Sequence, residues 1–220
     1  LSSDEIFAST GSSILVYNKE FSELKKLSTV TGLSETGIST IAWSEENQVL
    51  IIGYNSGNID LVKKNTVYNI PEILNKYRQG EKKINRIAAS GKYAYLATSF
   101  GIVVVDLVKK EIHDTWKPGP DSDLNEVFDM AFGNNKVYAA TARGIFAGDL
   151  LSQGLAYFGN WYQADLPDPD SRCTLAIFTG NKLYVNVSPS TSTGDSIFGL
   201  DGETTLISYT PGLINRSFDR

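Results

Sequence analysis

The chain has 220 residues, of which 41% are hydrophobic and 11% aromatic, and its formal net charge is −5. This composition excludes a disordered segment and predicts one folded domain with a sizeable core. The acidic balance without a basic stripe predicts no nucleic-acid partner. No apolar segment approaches the roughly 18 residues of a membrane span, so no membrane span is predicted.

Five similar segments follow one another along the chain, each with a glycine ahead of an apolar run. The glycines are Gly11, Gly57, Gly101, Gly144 and Gly194, at steps of 46, 44, 43 and 50 residues. In the third copy, SFGIVVVDLV at 99–108, the run is apolar at nearly every position, which indicates a strand covered on both faces. A period of about 40 to 50 residues with several short strands in each copy is typical of propeller blades.

Four strands are predicted in each copy. The third copy is the clearest, with strands expected over 84–89, 92–98, 101–107 and 111–117. Gly101 falls in the hairpin between the second and third of these strands, where a positive φ is expected. The sequence therefore predicts an all-β fold, a β-propeller of four-stranded antiparallel blades with about 18 to 20 strands.

The predicted blades are about 1–35, 36–80, 81–123, 124–170 and 171–220. The first lacks its innermost strand, because the chain enters the pattern at DEIFAST. Propellers hide their sheet edges by closing the ring. The favoured interpretation is an incomplete propeller that is part of a larger ring; the alternative is that LINRSF, 213–218, supplies the missing strand. A turn or two of helix is predicted within 71–83, with Ile73, Leu74 and Tyr77 on one side.

Two sets of residues are assigned structural roles. Asp60, Asp106 and Asp149 are expected to end the third strand of their blades and to accept turn amides; their recurrence favours this role over catalysis. The residues expected to be buried between blades are Ile87, Leu96, Val104, Met130, Tyr138 and Ile145.

No catalytic residue, metal ligand or cofactor site is predicted. The sequence has no phosphate loop, zinc pattern, EF-hand or GxSxG motif, and its one histidine, His113, is expected on an exposed outer strand. Cys173 is the one cysteine and lies in an apolar run, where burial makes a thiol inert. Asp165, Asp168 and Asp170 share the loop DLPDPDSR. A carboxylate pair for glycoside hydrolysis or a weak calcium site is conceivable there, but a solvated acidic loop is favoured.

Aromatic residues supply the candidate binding site. Trp161 and Tyr162 lie in FGNWYQ, 158–163, beside a predicted outer strand, and Trp116 is a further candidate in EIHDTW. Aromatic rings beside Asn and Gln can form a platform on which sugars stack. The alternative is that these rings pack between neighbouring blades.

Several segments resemble a known family. They are GLS at 32–34, GNIDL at 57–61, KxIN at 82–85, AYLATSFGIVVVDL at 94–107 and EIHDTW at 111–116. In this order they resemble the N-terminal β-propeller of the PorZ family, which belongs to the type IX secretion system of Bacteroidetes. They also show a wider similarity to propeller repeats in the periplasmic halves of hybrid two-component sensors.

The resemblance implies a non-enzymatic scaffold in a cell-surface attachment complex. The partners it implies are a sortase-like protein, other secretion-complex proteins and, through the parent protein, anionic lipopolysaccharide. It also implies export to the periplasm or the outer-membrane cell surface. Two other hypotheses stay open: a sensor propeller that binds an oligosaccharide, and an enzyme, which would need carboxylates or histidines clustered at one channel mouth.

Overall fold

The computed structural model describes residues 4–76, 80–121, 123, 125–152, 154–189 and 194–217. These residues form five sheets in which each strand pairs with the next strand along the chain. The first sheet has three strands and the other four sheets have four. The predicted all-β fold of four-stranded blades is therefore confirmed.

The strands are numbered in chain order. The first sheet contains β1 (Glu5–Ser9), β2 (Ile14–Asn18) and β3 (Glu23–Leu27), and the second contains β4 (Ile38–Ser44), β5 (Val49–Tyr54), β6 (Ile59–Lys63) and β7 (Thr66–Ile70). The third contains β8 (Ile84–Ser90), β9 (Tyr93–Thr98), β10 (Gly101–Asp106) and β11 (Glu111–Trp116). The fourth contains β12 (Val127–Gly133), β13 (Lys136–Thr141), β14 (Gly144–Asp149) and β15 (Trp161–Gln163). The fifth contains β16 (Cys173–Thr179), β17 (Lys182–Val187), β18 (Gly194–Leu200) and β19 (Thr204–Pro211).

Helix is scarce in the described part of the chain. It contains one α-helix, α1 (Glu72–Lys76), and two 3₁₀ turns, Thr29–Thr31 and Phe158–Asn160. The predicted helix within 71–83 is thus confirmed as a short one. Its Ile73 is buried, whereas Leu74 is exposed; Tyr77 lies outside the described residues. No described helix has both the length and the apolar character needed to cross a membrane.

The repeated glycine opens the third strand of its blade. Gly101 has φ of +134° and Gly144 has φ of +110°, as predicted for this hairpin. A Cβ on Gly101 would overlap the backbone carbonyl of Trp116, and one on Gly144 would overlap that of Pro169. The glycine is therefore needed both for its backbone conformation and for the close approach of a neighbouring segment.

The contacts divide the described residues into two compact units, and the chain changes unit after Thr98, inside β10 and inside β11. The first unit holds the first two sheets and most of the third, and the second unit holds the last two sheets with residues 101–102 and 115–116 of the third. The core of the first unit includes Ile14, Leu33, Ile38, Leu50, Ile52, Tyr54 and Val62. The core of the second unit includes Ala131, Ala140, Ile145, Leu166, Cys173, Ala176, Leu183 and Val185.

The predicted core is largely confirmed. Those found buried are Ile87, Leu96, Val104, Met130 and Ile145. Tyr138 is half-buried instead, because its ring lies at the border of the second core, stacked on Phe178 with ring centres 5.8 Å apart.

Among the described residues, the first sheet has one strand fewer than each of the other sheets, as predicted. Gly11 lies between β1 and β2, whereas its counterparts lie just before the third strand of their sheets or open that strand. Residues 213–217 form no strand, and Phe218 lies outside the described residues. The blade boundaries and the larger ring stay predictions.

Candidate functional site: the long loop of the fourth sheet

The connection between β14 and β15 departs from the repeat. It spans 150–160, whereas the matching connections span 64–65, 107–110 and 201–203. We call this segment the 150–160 loop. Since binding surfaces often lie on loops held by a rigid scaffold, it is the first place to look for a site.

Leu155 anchors the 150–160 loop. Its side chain is buried, and its carbonyl oxygen accepts hydrogen bonds from the indole N–H of Trp161 at 2.9 Å and from the backbone N–H of Lys117 at 3.3 Å. Gly148 makes room for this packing, because a Cβ there would lie 2.7 Å from the Leu155 side chain and 3.2 Å from the Trp161 ring. The middle of the loop is thus fixed to the sheet.

The candidate tryptophans belong to this packing. The side chain of Trp161 is 7% exposed, and its ring centre lies 6.3 Å from that of the half-buried Trp116. A ring that is buried on this scale offers little surface on which a sugar could stack. Trp161 therefore fits the alternative in which the ring packs inside the protein. The binding role of Trp116 stays a prediction.

Other side chains of this region face solvent. Leu151 is 75% exposed, Tyr157 is 59% exposed and Tyr162 is 46% exposed. Tyr157 packs beside Phe158, with ring centres 4.8 Å apart. The 150–160 loop and β15 thus present exposed apolar and aromatic surface, of a kind that binds protein or carbohydrate.

A cation borders this surface. The Lys136 ammonium lies 5.1 Å from the ring centre of Tyr162, and the Tyr162 side chain raises the pKa of Lys136. Tyr162, a candidate from the sequence, is exposed. Leu151 and Tyr157 are exposed as well, but the sequence analysis did not name them. The unusual distance between the GDL motif at 148–150 and the next strand was the signal that could have found them.

Asp165, Asp168 and Asp170 of the acidic loop take part in local hydrogen bonds. Asp168 accepts a hydrogen bond from the Ser171 hydroxyl at 2.7 Å, and Asp170 accepts one from the Gln163 amide at 3.3 Å. The backbone carbonyl of Asp165 accepts the Thr204 hydroxyl at 2.6 Å. The described residues contain no group of three or more acidic, histidine or cysteine side chains that could hold a metal ion.

Asp106 and Asp149 end their strands and accept turn amides, as predicted. The Asp106 carboxylate accepts the amides of Val108 at 3.0 Å and Lys109 at 2.9 Å, and Asp149 accepts that of Leu151 at 2.8 Å. The Lys109 amide is the main reason why the pKa of Asp106 is lowered.

The prediction for Asp60 is wrong. Asp60 is the second residue of β6 and is fully buried. Its carboxylate accepts the Ser34 hydroxyl at 2.6 Å, the Ser34 amide at 2.8 Å, the Tyr54 hydroxyl at 2.7 Å and the Asn69 amide at 3.0 Å. Asp60 lies three positions after Gly57, whereas Asp106 lies five positions after Gly101, so Asp60 lies within its strand. Burial and this carboxylate raise the pKa of Tyr54.

The one histidine and the one cysteine of the chain lie in different environments. His113 is exposed on β11, where its ring stacks on Tyr93 at 4.9 Å and Nε2 lies 3.4 Å from the Tyr93 hydroxyl. Cys173 is buried in the other unit, and burial raises the pKa of its thiol to about 12. A thiol in this state is a poor nucleophile.

Comparisons with known proteins identify one family and several solved structures with a similar fold. The family model described as "TSS9, PorZ, N-terminal beta-propeller domain" matches residues 6–162. Among solved structures, PorZ of Porphyromonas gingivalis, described as an essential bacterial surface component of the type-IX secretion system, has a TM-score of 0.80 and 25% identity over 96% of this chain and 28% of that chain. No curated protein sequence gives a significant match.

Two more distant structures show the fold alone. The extracellular domain of a putative one-component system from B. thetaiotaomicron has a TM-score of 0.64 and 17% identity over 83% of this chain and 25% of that chain. Hydrazine synthase of Kuenenia stuttgartiensis has a TM-score of 0.68 and 13% identity over 94% of this chain and 63% of that chain. The chain thus spans about a quarter of the length of the first two structures.

Proposed function

Because this chain belongs to the family of PorZ N-terminal β-propeller domains, we propose that it serves as a non-enzymatic scaffold in a type IX secretion complex. The family match, which covers most of the chain, is the observation that carries this proposal. The protein acts after export, in the periplasm or at the outer-membrane cell surface. Its partners are a sortase-like protein and other components of the complex, with anionic lipopolysaccharide bound through the parent protein.

The exposed part of the 150–160 loop is the proposed contact with a protein partner. Leu151 and Tyr157 present apolar and aromatic surface, and Leu155 holds the loop against the sheet. Exposed aromatic and aliphatic residues on a fixed backbone are favourable anchors in protein interfaces, because little conformational entropy is lost on binding.

The absence of catalysis is part of the same proposal. In the regions described, the carboxylates of Asp168 and Asp170 accept hydrogen bonds from neighbouring side chains, and His113 stacks on a tyrosine. Catalysis needs groups with shifted pKa values that converge on one cleft. Turnover of a polysaccharide or glycoside panel, lost in Asp165→Ala, Asp168→Ala or Asp170→Ala variants, would contradict the scaffold role.

The experiment uses the full-length protein in its own bacterium. The double variant Leu151→Ser/Tyr157→Ser is compared with Phe21→Ser/Val30→Ser, a control that alters two strongly exposed apolar side chains elsewhere. Cross-linking followed by identification of the attached proteins should show loss of a secretion component in the first variant alone. Equal cross-linking in both variants would contradict a role of the 150–160 loop in the interface.

A second candidate function is the sensing of an oligosaccharide. The observation in its favour is the exposed ring of Tyr162 with the Lys136 ammonium beside it, because an aromatic face bordered by a hydrogen-bond donor can stack and orient a sugar. A glycan array probed with the unaltered protein and with Tyr162→Ala tests this function. Binding that Tyr162→Ala abolishes would support it, and an array without signal would dismiss it.

A further inference from the structure

A groove of about 250 Å³ lies in the first unit, between the second sheet and the β10–β11 turn. We call it the lysine groove. Its floor is apolar, since Val49, Leu61 and Leu107 are buried. Lys63 and Lys110 also line it, so two cationic side chains border an apolar floor.

An aromatic ring holds one of these cations in place. The Lys110 ammonium lies 3.3 Å from the ring centre of Tyr68, which itself lines the groove. A cation–π contact orients an ammonium without neutralising its charge. Tyr68 thus keeps a positive charge at the wall of the groove.

The ion pairs found among the described residues include neither Lys63 nor Lys110. The acidic side chains of the adjoining turns are engaged elsewhere. Asp106 pairs with Lys92 at 3.6 Å, and Glu111 pairs with Lys109 at 3.6 Å. The groove is therefore positive, although the chain as a whole carries a formal charge of −5.

The backbone at both lysines is held by strand pairing or by a turn hydrogen bond. Lys63 pairs with Thr66 at the end of the β6–β7 hairpin. Lys110 has φ of +62°, and its N–H donates to the carbonyl of Asp106 at 2.7 Å, which closes the β10–β11 turn. Both side chains thus start from ordered turns, which lowers the entropy lost when they bind a ligand.

We propose that the lysine groove binds an acidic side chain, Glu or Asp, of a protein partner. This inference rests on the proposed scaffold function and assigns one of its contacts. The volume falls below the roughly 300–1,000 Å³ of sites that enclose a whole small molecule, whereas a single side chain needs less room. A carboxylate would meet two ammonium groups, while its methylene groups would contact the apolar floor, as charge complementarity at interfaces requires.

The test measures the binding of a fluorescein-labelled, capped hexapeptide that contains two glutamates separated by a leucine. A control peptide has glutamine in place of both glutamates. Fluorescence anisotropy is recorded with the full-length protein, with Lys63→Gln/Lys110→Gln, and with Lys26→Gln/Lys83→Gln. The last variant removes the same charge from exposed positions outside the groove.

The glutamate peptide should bind the unaltered protein and the control variant alike, more weakly as salt is raised. The groove variant should bind the glutamate peptide with at least tenfold lower affinity. The glutamine peptide should bind neither the unaltered protein nor either variant. Three results would overturn the proposal: no binding of the glutamate peptide up to millimolar protein, equal loss in both variants, or lysine-dependent binding of glucuronate without binding of the peptide. The last would assign the groove to a free anionic ligand.

Failure here is separable from failure of the scaffold function. Loss of cross-linking through Leu151 and Tyr157 concerns the other unit of the chain. A groove variant that still assembles into the complex, but no longer binds the peptide, supports the groove assignment. A groove that binds no peptide while the 150–160 loop still cross-links overturns this inference alone.

Discussion

The indole N–H of Trp161 donates a hydrogen bond to the carbonyl oxygen of Leu155, 2.9 Å away. This bond links the start of β15 to the middle of the 150–160 loop, and both side chains are buried. The exposed surface of the loop therefore depends on a tryptophan that does not itself face solvent.

The first prediction concerns this bond. Trp161→Phe keeps a ring but leaves the Leu155 carbonyl with the Lys117 amide alone. We expect the free energy of unfolding to fall by about 1–3 kcal/mol, from the lost bond and the poorer packing. Urea unfolding followed by tryptophan fluorescence measures the change, and Tyr162→Phe, altered at an exposed ring, should unfold like the parent.

The second prediction concerns the repeated glycine. Gly101→Ala would place a Cβ against the Trp116 carbonyl at a φ of +134°, a conformation that L-residues rarely adopt. The expected loss of stability is more than about 3 kcal/mol. Gly180→Ala is the control, since φ there is +57° and a Cβ would meet nothing within 4 Å; its cost should be about 1 kcal/mol. Equal melting temperatures for the two variants would contradict the steric explanation.

The third prediction separates two kinds of aspartate. Asp60→Ala leaves the Ser34 hydroxyl and the Tyr54 hydroxyl without their buried acceptor, so we expect a loss of about 3–5 kcal/mol. Asp149→Ala removes a cap from an exposed turn and should cost about 1 kcal/mol. Chemical denaturation of both variants is the measurement. Similar costs would mean that Asp60 is a turn residue after all.

The sequence was sufficient to predict the repeat, but not the position of every residue within it. In the third sheet the predicted and observed strand ends agree within about one residue, because tight hairpins keep the period constant. The residues at 94–107 likewise pointed to the family that the comparisons show. Asp60 was misplaced because the second blade reaches its aspartate two residues earlier than the third blade does; a shared motif does not fix register.

Side-chain exposure was harder to predict. Trp161 pairs with Gly148 and Tyr162 pairs with Ala147, and the strand alternation buries the first ring and exposes the second. Neighbouring sequence could not say which ring faces inwards, since the long loop before them hides the register. Lys63 and Lys110 are 47 residues apart, and only the stacking of their sheets brings them to one groove.

The fourth prediction concerns acid. The pKa of Asp106 is lowered in the folded protein, first by the Lys109 amide and also by the Val108 amide and Lys92. A lowered pKa means that the ionised carboxylate stabilises the fold above the ordinary pKa of about 3.9 and loses this effect as the pH falls below it. Melting temperatures of the parent and Asp106→Asn should therefore differ at pH 6 and converge towards pH 2–3. A difference that stays constant with pH would contradict this role of the charge.

The last prediction uses the one cysteine as a reporter of the second core. Cys173 is buried against residues of the fourth and fifth sheets, and desolvation raises its pKa to about 12. At pH 8 the thiolate fraction is thus very small and the sulfur is shielded, so a disulfide reagent such as dithionitrobenzoate should not react with the native protein. In urea the thiol should react fully. If native protein reacted within minutes, the core that joins these two sheets would open readily, which would contradict the close packing around Cys173.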